Sequence, residues 1–157
     1  MIFNMRKNET LKKLNDIKIT AHFWNWLPDI QVAIEIYESR NDAYSVLLPF
    51  FFTYLEETIR STTTEYGMLD PRNQSNRKKK VGKELIQFAI SENSDNPQLV
   101  HILNDILENH YGKFSPFAGG QNRNNVGHGV VHPRFWTEED FENVVNDIAK
   151  LSPYAGF

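Results

Sequence analysis

An all-α fold is the first expectation from this sequence, and two observations carry it. Apolar residues recur at three- and four-residue intervals over long segments, and they almost nowhere alternate strictly with polar ones as a half-buried strand requires. Turn-forming clusters, "MLDPRNQSN", "SENSDNPQ" and "GKFSPFAGGQN", separate those segments. With 157 residues, 40% of them hydrophobic, the chain can bury one core. The expectation is a helical domain over residues 21–157, a bundle of about five helices, preceded by an N-terminal extension over residues 1–20.

The first predicted helix runs from Ala21 to Ser39, with Pro28 in its opening turns and Ile30, Ala33, Ile34 and Tyr37 on one stripe. The second starts at Asn41 or Asp42, both residue types that cap helices, and reaches Tyr66, where Gly67 stops it. Pro49 lies inside it and removes a backbone donor, which predicts a kink. A third helix is predicted from Lys79 to Ala89 and a fourth from Gln98 to Tyr111, with Leu99, Ile102, Leu103, Ile106 and Leu107 on its apolar face and Gly112 after it. The last opens on "TEED": Thr137 caps it, and Asp140 three residues on completes a capping box. Phe141, Val144, Val145, Ile148 and Leu151 form its buried stripe.

Charge and composition narrow the function classes. A net charge of −3 argues against a uniformly basic nucleic-acid coat, so any polyanion site must be local. The absence of cysteine rules out a disulfide framework and a thiolate zinc site. The first twenty residues are charged throughout and hold no apolar core of signal-peptide length. "AYSVLLPFFFTYL", the densest apolar run, is too short to span a bilayer. The expectation is a cytoplasmic protein without membrane association. No phosphate-binding glycine loop, dinucleotide fingerprint or nucleophile elbow occurs, and no cofactor is expected.

One stretch breaks the helical pattern: "QNRNNVGHGVVHP", Gln121 to Pro133, is too poor in helix formers to be explained by packing alone. Its residue types suit phosphodiester cleavage without a metal. Such cleavage must deprotonate a 2′-hydroxyl, stabilise charge on a pentacoordinate phosphorus and protonate the leaving 5′-oxygen. A histidine, His128, exchanges protons near neutrality. Arg123 stays charged and offers a planar fork to phosphate oxygens, and Asn124 can orient either group. Gly127 and Gly129 let backbone approach a ligand closely. The same residues can also serve structure alone, by capping a helix end and fixing the turn into the last helix.

Arg123, the polar Asn124, three further residues, then His128 and Gly129, set in an all-helical chain just before an amphipathic C-terminal helix, resemble the signature of the HEPN superfamily, an arginine followed four to six residues later by a histidine. "YLEETIRS" upstream is similar to the acidic and arginine-bearing helix of many such domains. The resemblance implies a bundle that forms a two-fold homodimer with both arginine–histidine motifs facing one cleft. It further implies an endoribonuclease of a toxin–antitoxin or abortive-infection defence system, acting on RNA. An inactive binding module that works through an antitoxin or a nucleotidyltransferase partner is the alternative.

Several other groups have two readings each. The basic run ending in Arg77, Lys78, Lys79 and Lys80 is either a solvated loop or an RNA-backbone track. Glu56 and Arg60, four apart, are spaced for a helical ion pair, while Glu57 or Arg60 could instead point into the cleft and orient His128. His128 and His132 have a metal-compatible spacing, but Gly129 and Pro133 oppose a helix there, so no metal site is expected and His132 is a loop residue that could assist in the cleft. Trp24, Trp26 and Trp136 are expected in the core or a dimer interface. His22, His101 and His110 have no visible constellation and are expected to be structural or exposed.

Overall fold

Two of the helices carry proline in their first turn, where a missing N–H removes no helical hydrogen bond, and Asn96 caps the second of them through its side-chain oxygen. The computed structural model describes residues 2–22, 24–40, 42–67, 79–112, 120–129 and 131–157. In chain order the helices are α1 (Ile2–Thr20), α2 (Leu27–Ser39), α3 (Tyr44–Ser61), α4 (Thr64–Gly67), α5 (Gly82–Glu92), α6 (Pro97–His110), α7 (Arg123–Gly127) and α8 (Glu138–Leu151). Short 3-10 turns at Pro133–Phe135 and Ser152–Tyr154 flank α8, and no strand occurs among the described residues.

α3 is the central element. It packs against α8, α5, α4 and α7, while α1 lies on α8 and α2, and α6 on α5 and α8. Its inward face carries Phe51, Tyr54, Leu55 and Ile59, all fully buried, against Phe141, Val144, Val145 and Ile148 of α8. The expected stripe of α2, Ile30, Ala33, Ile34 and Tyr37, is the buried one, and so is that of α8. On α6, Leu99, Leu103 and Ile106 are buried, with Ile102 and Leu107 half-buried beside them.

Residues 2–20 are built into this body. α1 places Leu14 and Ile17, both fully buried, in the common core. Its apolar positions are few and set among charges, so the segment's sequence alone shows no strong stripe. α2 starts at Leu27, later than Ala21, with Pro28 in its first turn. The predicted second helix is divided in two. Ser61, Thr62 and Thr63 each donate a hydroxyl hydrogen bond to the carbonyl three residues back, at 2.6, 2.7 and 2.8 Å, an alternative to helical pairing that ends α3. Glu92 then receives both the N–H and the hydroxyl of Thr64 and so starts α4.

Ala43, not Asp42, stands at the N-cap of α3, because the Asp42 carboxylate is taken by Arg40 through two bonds of 3.0 Å; Asn41 lies outside the described residues. Trp136 is buried and Trp26 packs against the core, whereas Trp24 is exposed. No helix among the described residues is long and apolar enough to cross a membrane.

The α8 capping box forms as expected: Thr137 accepts the Asp140 N–H at 3.1 Å, and Asp140 accepts the Thr137 N–H at 2.8 Å. Asp140 also takes the Gly120 N–H at 3.2 Å, which ties the start of α8 to the segment leading into α7. Thr137→Ala is expected to lower stability by about 1 kcal/mol. Urea denaturation checks it, and an unchanged midpoint would show that Asp140 holds the helix start alone.

Candidate functional site

The stretch that breaks the helical pattern in the sequence nonetheless forms α7, a helix of five residues. Asn122 caps it by accepting the Asn124 N–H at 2.9 Å, and its amide donates to the Gly112 carbonyl at 3.0 Å. Asn125 and Val126 are buried beneath it, so tertiary anchoring overrides the poor propensity of these residues. The His128 N–H closes the helix on the Asn124 carbonyl at 3.1 Å. Gly129 then turns the chain with φ of +63°, in the left-handed region that favours glycine.

Arg123 extends from α7 to α3. Its Nε lies 3.1 Å from Oε1 of Glu56 and its Nη2 donates to Oε2 at 3.1 Å, a two-point fork, while Nη1 makes a longer 3.4 Å bond to Asn124 Oδ1. Glu56 Oε1 also accepts the Gly82 N–H at 2.8 Å, at the very start of α5. Three chain regions therefore meet at one carboxylate.

Glu56 does not pair with Arg60, contrary to the expectation from their spacing. Buried Arg60 turns instead to Glu57 at 3.2 Å, to the Lys80 carbonyl at 2.7 Å and to Glu65 at 3.7 Å. Glu65 in turn accepts the Lys80 N–H at 2.9 Å. Glu57 and Arg60 thus hold the chain entering α5, and among the described residues neither makes a hydrogen bond or ion pair to His128. The Lys80 ammonium lies 3.6 Å from Glu65 and 4.2 Å from the centre of the Phe88 ring, so it is engaged by the fold, while Lys79 is exposed. Arg77 and Lys78 lie outside the described residues.

Tyr111, buried at 3% exposure, belongs to the same neighbourhood. Burial first, and the Glu56 charge second, push its phenol above the ordinary value, against the opposing pull of Arg123 and Arg60. It stays a neutral phenol, and its hydroxyl has no hydrogen-bond partner among the described residues. His128 is exposed at the end of α7, with no hydrogen bond or ion pair to its ring among the described residues. His132 is exposed too and caps the turn at Pro133 by accepting the Arg134 N–H at 3.2 Å, which is a local structural task. No three carboxylate or imidazole groups among the described residues converge as a metal site.

Behind α7 lies a constellation that the sequence reading missed. His110 is fully buried, with Nε2 2.9 Å from Asp147 Oδ2 and Nδ1 3.0 Å from the Gln121 carbonyl. The ring is thus held on one side by the Asp147 carboxylate and on the other by the backbone of Gln121. Asn109 and Lys150 also donate to Asp147, at 3.0 and 3.1 Å. Burial alone would raise the Asp147 carboxyl, but these hydrogen bonds outweigh it and hold the group down at about 2. A signal was present: His110 continues the Leu99, Leu103, Ile106 spacing by one more step, and an imidazole on a buried stripe must find polar partners.

The arrangement places a fixed guanidinium and a neighbouring amide on one short helix and an exposed imidazole at its C-cap, braced from behind by the buried His110–Asp147 contact. Compared with protein-family models, curated proteins and solved structures, the chain matches none of them.

Proposed function

We propose that this protein is a metal-independent endoribonuclease of a defence or toxin–antitoxin system, a HEPN-type helical bundle that acts as a cytoplasmic homodimer. The observation that carries the reading is the presence, on α7 and at its C-cap, of an arginine held in place, Arg123, and an imidazole left open, His128. Arg123 binds the scissile phosphate and stabilises charge gathering on its oxygens. His128 moves the protons, as a base toward the 2′-hydroxyl or as an acid toward the leaving 5′-oxygen. Asn124 steadies Arg123 through the contact with Nη1.

A second reading, an inactive module that works through an antitoxin or nucleotidyltransferase partner, draws on one observation: the Arg123 charge is already balanced by Glu56. One experiment separates the two. Purified wild-type and His128→Ala proteins are incubated with RNA in excess EDTA, with folding checked by circular dichroism. The nuclease reading expects cleavage by the wild type and a loss of about a hundredfold or more in the variant. Equal cleavage by both would remove His128 from the chemistry, and no cleavage by either would favour the module.

A further inference from the structure

The Arg123 guanidinium carries five N–H groups. Glu56 Oε2 takes one of them on Nη2 while its Oε1 lies 3.1 Å from Nε, and Asn124 takes one on Nη1. One N–H is left on each terminal nitrogen, and those two nitrogens form the end-on edge of the guanidinium, whose spacing matches two oxygens of a phosphate. We propose that Glu56 is a positioning residue: it locks the side-on edge of Arg123 and thereby presents the end-on edge to an RNA phosphodiester. The proposal rests on the ribonuclease reading.

Glu56 is suited to this task because it is itself immobilised. Its side chain is 13% exposed, it projects from the central helix α3, and the Gly82 N–H pins Oε1 at 2.8 Å. The start of α5 sets the partial positive charge of a helix N-terminus beside that carboxylate. Gly82 reaches this position with φ of +55°, a backbone state that other side chains rarely adopt, so the chain is shaped to deliver its N–H to Glu56. A guanidinium oriented in advance does not have to be ordered when RNA arrives. The carboxylate therefore aids phosphate recognition by geometry, although it offsets part of the charge.

Glu56→Gln tests this directly. The amide oxygen can keep the Gly82 bond, while the new N–H group faces a donor of Arg123 and breaks the fork. The expected result is a fall in kcat of about a hundredfold on a short RNA, with KM and melting temperature little changed. In an Arg123→Lys background, which has no fork to orient, the same substitution should change kcat by less than about twofold. Glu56→Asp keeps the charge but is one methylene short, and it is expected to lose most of the rate as well; it serves if the glutamine variant does not fold. Unchanged kcat in both variants, or losses that multiply in the Arg123→Lys background, would overturn the proposal. A wild type that cuts no RNA removes the ribonuclease reading instead. The positioning claim is then decided by the 15N resonances of Arg123 during titration with a DNA oligonucleotide, which carries phosphodiesters without a 2′-hydroxyl. A shift seen in the wild type and absent in Glu56→Gln supports it, and no shift in either overturns it.

Discussion

Replacing His110 by leucine is expected to lower stability by about 3–5 kcal/mol, a large share of what a single domain possesses. Leucine fills much of the same volume, so the effect is not mainly a cavity. It comes from Asp147, which stays buried and ionised with Asn109 and Lys150 as its remaining donors, and from the Gln121 carbonyl, which loses its partner. Removing both members in His110→Leu/Asp147→Leu should recover much of the loss, because the uncompensated charge is gone. Urea denaturation of the single and double variants measures the difference, and a double variant no more stable than the single would place the cost elsewhere. The pair also sets an acid limit. Asp147 is lowered from an ordinary 3.8 to about 2, so its contribution is complete above about 4 and is lost as pH falls through 2. It amounts to about 2 kcal/mol at neutral pH, and the acid limb of the stability curve should flatten in His110→Leu.

Phe141→Ala is expected to cost about 3–5 kcal/mol, with a fall in melting temperature of about 10 °C. The ring is fully buried at the contact between α8 and α3, and its centre lies 5.1 Å from that of Tyr37 and 5.4 Å from that of Phe51. Its removal opens a void on which α2, α3 and α8 all border, and backbone that spans three helices cannot collapse into it. Phe141→Leu should cost much less, because most of the volume is kept. A thermal melt of the alanine variant within about 2 °C of the wild type would mean that the helices close the gap.

The parts of this fold that were legible in the sequence are those fixed locally. The stripes of α2, α6 and α8 follow from helical spacing, and the Thr137–Asp140 box is a four-residue pattern. What escaped depends on residues far apart in the chain. α7 exists because Asn122 caps it and the core holds Val126, which its composition does not announce. α1 is fixed by packing on α2 and α8. Of the candidate site, Arg123, Asn124 and His128 stand out by residue type and spacing. Glu56 does not: it sits four residues before Arg60, so the helical rule assigns it the wrong cation, and its true partner is 67 positions away. His110 was readable in part, since its place on the α6 stripe demands burial, although nothing local names Asp147 as its partner.

That distance of 67 residues between Glu56 and Arg123 has a bearing on when the site comes into being. The segment that carries Arg123 is fastened by His110 and Gly112 at the end of α6 and, through Asp140 and Asp147, by α8. A ribosome releases α3 and its carboxylate long before it releases α8. An emerging chain can therefore fold its early helices and still lack an oriented Arg123, and the constellation closes only after α8 has docked. For a protein proposed to cut RNA, that order sets the anchoring of the Arg123 segment among the last steps of synthesis.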